Sequence, residues 1–317
     1  MSRARGPASW IARRLGYAVV ILFAISLLVF IATQALPADP AQAILGRAEP
    51  ARIEALRAEL GLNEPLTSQY LNWIGGVVTG DLGTSLTTRD SVSSLIGGRL
   101  VQTLFLLGIT SLVAVPLSYA LGALAAFKRD SLGDRVGLGS SVILASLPEF
   151  VTGLLLVMFF ATTVLHVLPA VTLDTSLSGW KSLILPVTVL TCVIVPYLYR
   201  LVRASTIEVL ESDYVHVARL KGLSNRRIIF GHALPNAMVP AIQGTALMLA
   251  YLLGGVIVVE FLFTYPGLGT LLLDAIRNRD LPVIQGLTLI FAGGFLLFNL
   301  LADIITVLIT PRLRTGI

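Results

Sequence analysis

Residues 100–129 read LVQTLFLLGITSLVAVPLSYALGALAAFKR. From Leu100 to Phe127 no side chain is charged, and the run closes on Lys128 and Arg129. A helix needs roughly 20 apolar residues to cross the hydrocarbon of a bilayer, so this stretch is long enough to span one. Five more runs lie on either side. Leu15 to Ala35 follows Arg13 and Arg14, and it is longer than the apolar region of a cleaved signal, which predicts a retained anchor. Val136–Leu165 is interrupted only by Glu149, and Leu183–Tyr199 stops at Arg200. Ala237–Phe263 holds Glu260 near its end, and Val283–Thr310 holds Asp303 and ends at Pro311. The expected fold is an all-α polytopic membrane protein with six transmembrane helices.

Composition supports that reading. Of 317 residues, 55% are hydrophobic and 13% charged, against about 25% charged in soluble proteins. Mean hydropathy is +0.85. The single cysteine, Cys192, allows no disulfide within the chain and no cysteine-based metal site. His166, His216 and His232 have no ligand-like spacing, so no metal is expected. A pI near 9.6 invites a nucleic-acid reading. The basic residues, however, flank apolar runs instead of forming a stripe, which argues against nucleic acid and for a topology signal.

With the N-terminus inside, the inner pieces are residues 1–14, 128–135, 200–235 and 311–317. They hold Arg3, Arg5, Arg13, Arg14, Lys128, Arg129, Arg135, Arg200, Arg203, Arg219, Lys221, Arg226, Arg227, Arg312 and Arg314, which is 15 of the 23 basic residues. Positive charge marks the cytoplasmic side, so both termini are expected there. The chain then divides into residues 1–35 (N-terminus and first helix), 36–99 (an outer helical segment) and 100–317 (a five-helix core with an inner loop at 200–235). In the outer segment, Ala51–Leu60 reads as a solvated helix stopped by Gly61. Leu66, Tyr70, Trp73, Ile74 and Val77 then form one apolar stripe on a short helix. Such a stripe serves either a cap packed on the bundle or a docking surface for an outside partner.

Residues 200–235, RLVRASTIEVLESDYVHVARLKGLSNRRIIFGHALP, form the longest inner segment. The fourth helix is expected to continue to about Leu210. Ser212 and Asp213 offer an N-cap for a short helix, Tyr214–Lys221. Gly222 suits the left-handed position after it, and Ser224 is placed to cap a second helix ending at or before Pro235. Such a pair, bearing Arg219, Lys221, Arg226 and Arg227, is a stiff knob. The plainer alternative is a basic interfacial helix on anionic lipid.

This loop resembles the EAA loop of bacterial ABC importer permeases, E-A-A-x3-G-x9-I-x-L-P. The matching positions are His216, Val217, Ala218, Gly222, His232, Leu234 and Pro235; the spacing holds, while the first two positions and the isoleucine depart. Asp213-Tyr214, Ala218-Arg219, Lys221-Gly222-Leu223 and His232-Ala233-Leu234 are similar to the dipeptide and oligopeptide (peptide/nickel) branch. So are Leu60-Gly61-Leu62-Asn63-Glu64-Pro65-Leu66, Gly80-Asp81-Leu82-Gly83, Pro266-Gly267-Leu268-Gly269, Arg279-Asp280, Asn299 with Asp303, and Pro311-Arg312. The long outer segment resembles the first, B-type, permease of that branch.

The resemblance implies a permease subunit in the bacterial inner membrane. Its expected partners are a second homologous permease, two ATP-binding subunits or domains, an extracytoplasmic substrate-binding protein, a di- or oligopeptide solute and membrane lipid. It implies that the loop is a coupling helix seated in an ATPase cleft, through Asp213, Tyr214, His216, Ala218, Arg219, Lys221, Gly222, Leu234 and Pro235. No Walker pattern appears, so the chain is expected to be no enzyme, with no catalytic residue and no cofactor; ATP and Mg belong to partner subunits. Nickel or another small solute stays open as the cargo.

Ionisable residues in apolar helices are functional candidates, here for pathway or gating. Glu149 follows Pro148, where the third helix is expected to kink, and it either faces the pathway and a peptide's ammonium or is a buried structural carboxyl. Glu260, near the outer boundary, is expected to meet a partner or to snorkel. Asp303, four residues after Asn299, is expected to pair helices across the bundle. A self-contained carrier or channel would favour repeated half-chains, and an intramembrane protease a nucleophile motif; neither pattern is present.

Overall fold

The apolar runs become helices because hydrocarbon offers no water to backbone N–H and C=O groups, which a helix satisfies internally. The structure, a computed structural model, describes residues 7–35, 40–45, 48–59, 61–172, 175 and 179–309. Arg3, Arg5, Leu60, Thr310, Pro311, Arg312 and Arg314, and the side chain of His232, lie outside the described residues. In chain order the helices begin with α1 (Pro7–Gln34), α2 (Pro40–Leu45), α3 (Pro50–Glu59), α4 (Leu66–Thr79) and α5 (Val92–Phe127). There follow α6 (Leu132–Ser146), α7 (Glu149–Val157, extended by a π turn at Met158–Thr162), α8 (Trp180–Leu210), α9 (Asp213–Leu220) and α10 (Asn225–Ile228). A π turn at Ile229–Ala233 leads into α11 (Leu234–Leu262), and α12 (Leu268–Asn278) and α13 (Leu281–Ile309) complete the order.

Among the described residues α1, α5, α8, α11 and α13 are long and apolar enough to cross a membrane, and counting the bent pair α6–α7 as one span brings the number to six. The only β pairing among them is one isolated bridge, Thr84 with Ser91. The all-α, six-span expectation therefore holds, with two corrections. The third run is not one kinked helix: α6 and α7 meet at 104°. Pro148 disfavours a helical residue before it, and Leu147 is extended at φ −89°, ψ 127°. Helix α12 was not anticipated, although Leu268, Leu271, Leu272 and Ala275 recur at helical spacing.

The chain forms two compact units. One comprises residues 1–11, 105–265 and 295–317. Its core packs Leu185, Leu190, Ile194 and Leu198 of α8 with Leu252, Leu253, Val256 and Val259 of α11. Helix α5 approaches α8 closely at Gly122, where a Cβ would stand 2.8 Å from the Tyr199 carbonyl oxygen. The other unit comprises residues 12–104 and 266–294. Its core joins Val92 and Ile96 of α5 to Leu268 and Ala275 of α12 and to Val283 and Leu287 of α13.

In that second unit the stripe on α4 lies against α1. Tyr70 meets Phe30 edge-on at 5.3 Å, Trp73 stacks on Phe30 at 6.1 Å, and the Tyr70 hydroxyl is 2.8 Å from Ser26 Oγ. Leu66 does not join the packing and stays exposed. Large apolar side chains such as Val19, Val20 and Leu28 of α1 and Leu112 of α5 point outward, a surface suited to lipid.

Candidate functional site

Helix α9 is short, and isolated helices of that length are marginal in water, so tertiary packing must hold it. Val215 and Ala218 turn inward and meet Ile228 of α10, with Val209 and Leu223 closing the cluster. Ser212 takes the extended N-cap backbone, φ −71° and ψ 150°, but its hydroxyl does not cap α9. Instead it donates to the Val209 carbonyl at 2.5 Å, at the end of α8. Asp213 stands in the first turn, where the helix dipole favours an acid.

After Lys221 the chain reverses through Gly222 at φ +75°, as expected. Leu223 N–H donates to the Ala218 carbonyl, and Gly222 N–H to that of Arg219. A Cβ on Gly222 would touch nothing within 4 Å, so the glycine answers the backbone conformation alone.

The second helix does not end at Pro235. Ile228 N–H donates to the Ser224 carbonyl, and Leu234 N–H reaches five residues back to Ile229. The widened π turn makes room for the proline ring, and α10 passes into α11 without a loop. The outward side of α9 holds Tyr214, His216, Val217, Arg219, Leu220 and Lys221, all exposed. Asn236 Nδ2 of α11 donates to the Tyr214 hydroxyl at 3.2 Å, a second tie between α9 and α11.

The sequence reading missed what holds the base of this element. Arg203 of α8 was taken as one basic residue among many, yet it grips Asp134 of α6 with two hydrogen bonds, Nε to Oδ1 at 2.5 Å and a terminal nitrogen to Oδ2 at 2.7 Å. The Asp134 side chain is 2% exposed and also accepts from Asp130 N–H at 3.0 Å. The Ser131-x-x-Asp134 spacing is a helix-start signature, and Asp134 N–H does donate to Ser131 Oγ. That signal locates the acid but not its partner. Arg129 and Glu211 form a second, exposed ion pair.

Glu149 stands at the start of α7, half-buried, with its carboxylate beside Gly255 of α11. It lines a cleft of about 390 Å³ with Arg200, Tyr197 and Cys192 of α8 and Tyr251 of α11. Glu260 neither snorkels nor reaches outward. It is fully buried, as are Phe263 and Tyr265 just beyond the end of α11, and Tyr265 N–H donates to the Glu260 carbonyl at 2.8 Å. Burial, then the Glu260 charge, pushes the Tyr265 phenol far above its ordinary range. Asp303 is half-buried on α13, and Asn299 does not bridge helices: its amide donates to the Phe295 carbonyl of its own helix.

In the second unit, the strings Gly80-Asp81-Leu82-Gly83 and Arg279-Asp280 flank one latch. Asp280, buried between α12 and α13, accepts from Ser85 Oγ at 2.5 Å, Leu86 N–H at 3.1 Å and Thr87 N–H at 3.2 Å.

Residues 118–315 match the family described as the binding-protein-dependent transport system inner membrane component. The chain belongs to that family. Residues 8–107 match the N-terminal membrane component of the same systems. The chain is 40% identical over 308 residues to the glutathione transport system permease protein GsiC of Escherichia coli strain CFT073, covering 96% of this chain and 99% of the relative. It is 39% identical, over the same shares, to the proteins of that name from Escherichia coli K12 and Salmonella typhi. Membership makes the protein a multi-pass inner-membrane permease subunit of an ABC importer in the peptide/nickel branch, and not an enzyme. It works with a partner permease, ATP-binding subunits and a binding protein, and ATP is hydrolysed outside this chain. The self-contained carrier and the intramembrane protease are thereby set aside.

Proposed function

We propose that this permease forms, with its partner, the pathway for short peptides, and that α9 is the knob by which ATP-binding subunits drive it. One observation carries the second half. Helix α9 has its own small core of Val215, Ala218 and Ile228, yet it leaves Tyr214, Val217 and Leu220 exposed among Arg219 and Lys221. Apolar side chains ringed by charge suit a protein socket better than lipid headgroups. Leu234 and Pro235 belong to the rod that carries α9 motion into α11. The bias of basic residues supports a cytoplasmic position for this loop and both termini, with residues 36–99 outside, toward the binding protein. ATP and Mg would then be held by the partner subunits alone.

For the solute, the relatives are named for glutathione, itself a short peptide, and Glu149 gives the cleft a carboxylate for a peptide's ammonium. Asp303 is assigned to the helix scaffold and Glu260 to the buried end of α11.

The test is Gly222→Val in the complete importer. A left-handed backbone costs a non-glycine residue roughly 1–2 kcal/mol, and a β-branched one resists it most. The variant is expected to insert normally while uptake separates from ATP hydrolysis. Normal uptake with all subunits retained would contradict the coupling role, and loss of the chain from the membrane would favour the interfacial-helix alternative.

A further inference from the structure

The cleft at the α6–α7 corner contains an acid and a base that do not neutralise each other. Glu149 comes from the first turn of α7, where an acidic side chain complements the positive end of the helix dipole. Arg200 comes from α8, and its Nε donates to the Pro196 carbonyl at 3.1 Å, which anchors the guanidinium and directs recognition to its two terminal nitrogens. Among the described residues neither forms an ion pair, in contrast to Arg203 and Asp134 one turn away along α8. Opposite charges left unpaired in one half-buried cleft are costly, and such sites persist where a ligand or pathway uses them.

We infer that this cleft recognises both ends of a free peptide, the ammonium on Glu149 and the carboxylate on Arg200. This deepens, and rests on, the reading of the solute as a short peptide. The cleft volume of about 390 Å³ falls in the range of roughly 300–1,000 Å³ usual for small-molecule sites. Tyr197 and Tyr251 supply flat walls with hydroxyl groups for a peptide body of any sequence. A site that reads only termini discriminates by charge and is indifferent to side chains. It would reject peptides blocked at either end, because a blocked end leaves Glu149 or Arg200 without a counter-charge.

Cys192 lines the same cleft and is the chain's only cysteine, so it is a built-in reporter. In the complete importer in proteoliposomes, modification of Cys192 by a cationic and an anionic methanethiosulfonate is followed by mass spectrometry of this chain. Glu149→Gln is expected to slow the cationic reagent relative to the anionic one by roughly tenfold, the factor equivalent to about 1.4 kcal/mol. Arg200→Gln should do the reverse, and Glu149→Asp should restore the wild-type ratio, which controls for misfolding. Millimolar dialanine should protect Cys192, and its N-acetylated, C-amidated form should not. Equal protection by both forms, or reagent ratios indifferent to both charge changes, would overturn the inference. Uptake of dialanine by the same wild-type vesicles separates the two levels: uptake without protection overturns the cleft alone, whereas no uptake of any short peptide overturns the peptide reading beneath it.

Discussion

Two prolines meet helices in this chain with opposite results. At Pro148 the preceding residue is extended and the chain turns through 104°. At Pro235 the preceding residue stays helical, φ −60° and ψ −47°, and the helix runs on to Leu262. A proline removes one backbone donor and crowds the carbonyl four residues before it. The π turn at Ile229–Ala233 relieves that crowding by lengthening the hydrogen bond to five residues, while α6 has no such turn and breaks. The contrast separates two mechanical parts. The corner swings a carboxylate into a cleft, and the rod joins α9 to a membrane helix without a hinge.

The largest expected effect comes from releasing the start of α6 from α8. Asp134→Ala leaves Arg203 largely buried without its partner, and breaking such a pair costs about 3–5 kcal/mol. The level of folded chain in the membrane should fall sharply, and replacing both residues with leucine should recover much of it. Next come the prolines themselves. Pro148→Ala frees Leu147 to become helical, so the corner should loosen, with a stability loss of about 0.4–1 kcal/mol and a clear drop in uptake. Pro235→Ala should change uptake little, because the rod is already continuous. An equal loss of uptake in both variants would erase the distinction. The smallest effect is Ser212→Ala. Its hydroxyl bonds the Val209 carbonyl and not an α9 N–H, so thermal stability should shift less than the roughly 1 kcal/mol that a lost N-cap costs.

The spans were legible in the sequence because an uninterrupted apolar run has one solution in a bilayer. The left-handed turn at Gly222 was legible too, since a glycine after a short amphipathic stretch has a local reason. What escaped depends on contacts between distant residues. Arg203 finds Asp134 69 residues away, and Asp280 finds Ser85 195 residues away. No local period encodes either pair. Glu260 looked like a boundary residue by its place in the run, yet the folded chain buries it completely. The passage through Pro235 was misjudged because proline's rule is local, while the π turn that answers it spends an extra residue upstream.

Whether α9 is seated in an ATP-binding subunit can be measured directly. A photo-reactive amino acid in place of Leu220, 75% exposed on α9, is illuminated in the complete importer, with Leu71 on α4 as the comparison site. The Leu220 probe is expected to join this chain to an ATP-binding subunit, and the Leu71 probe is not. Exclusive capture of lipid at Leu220, in an importer that still hydrolyses ATP and takes up solute, would contradict it.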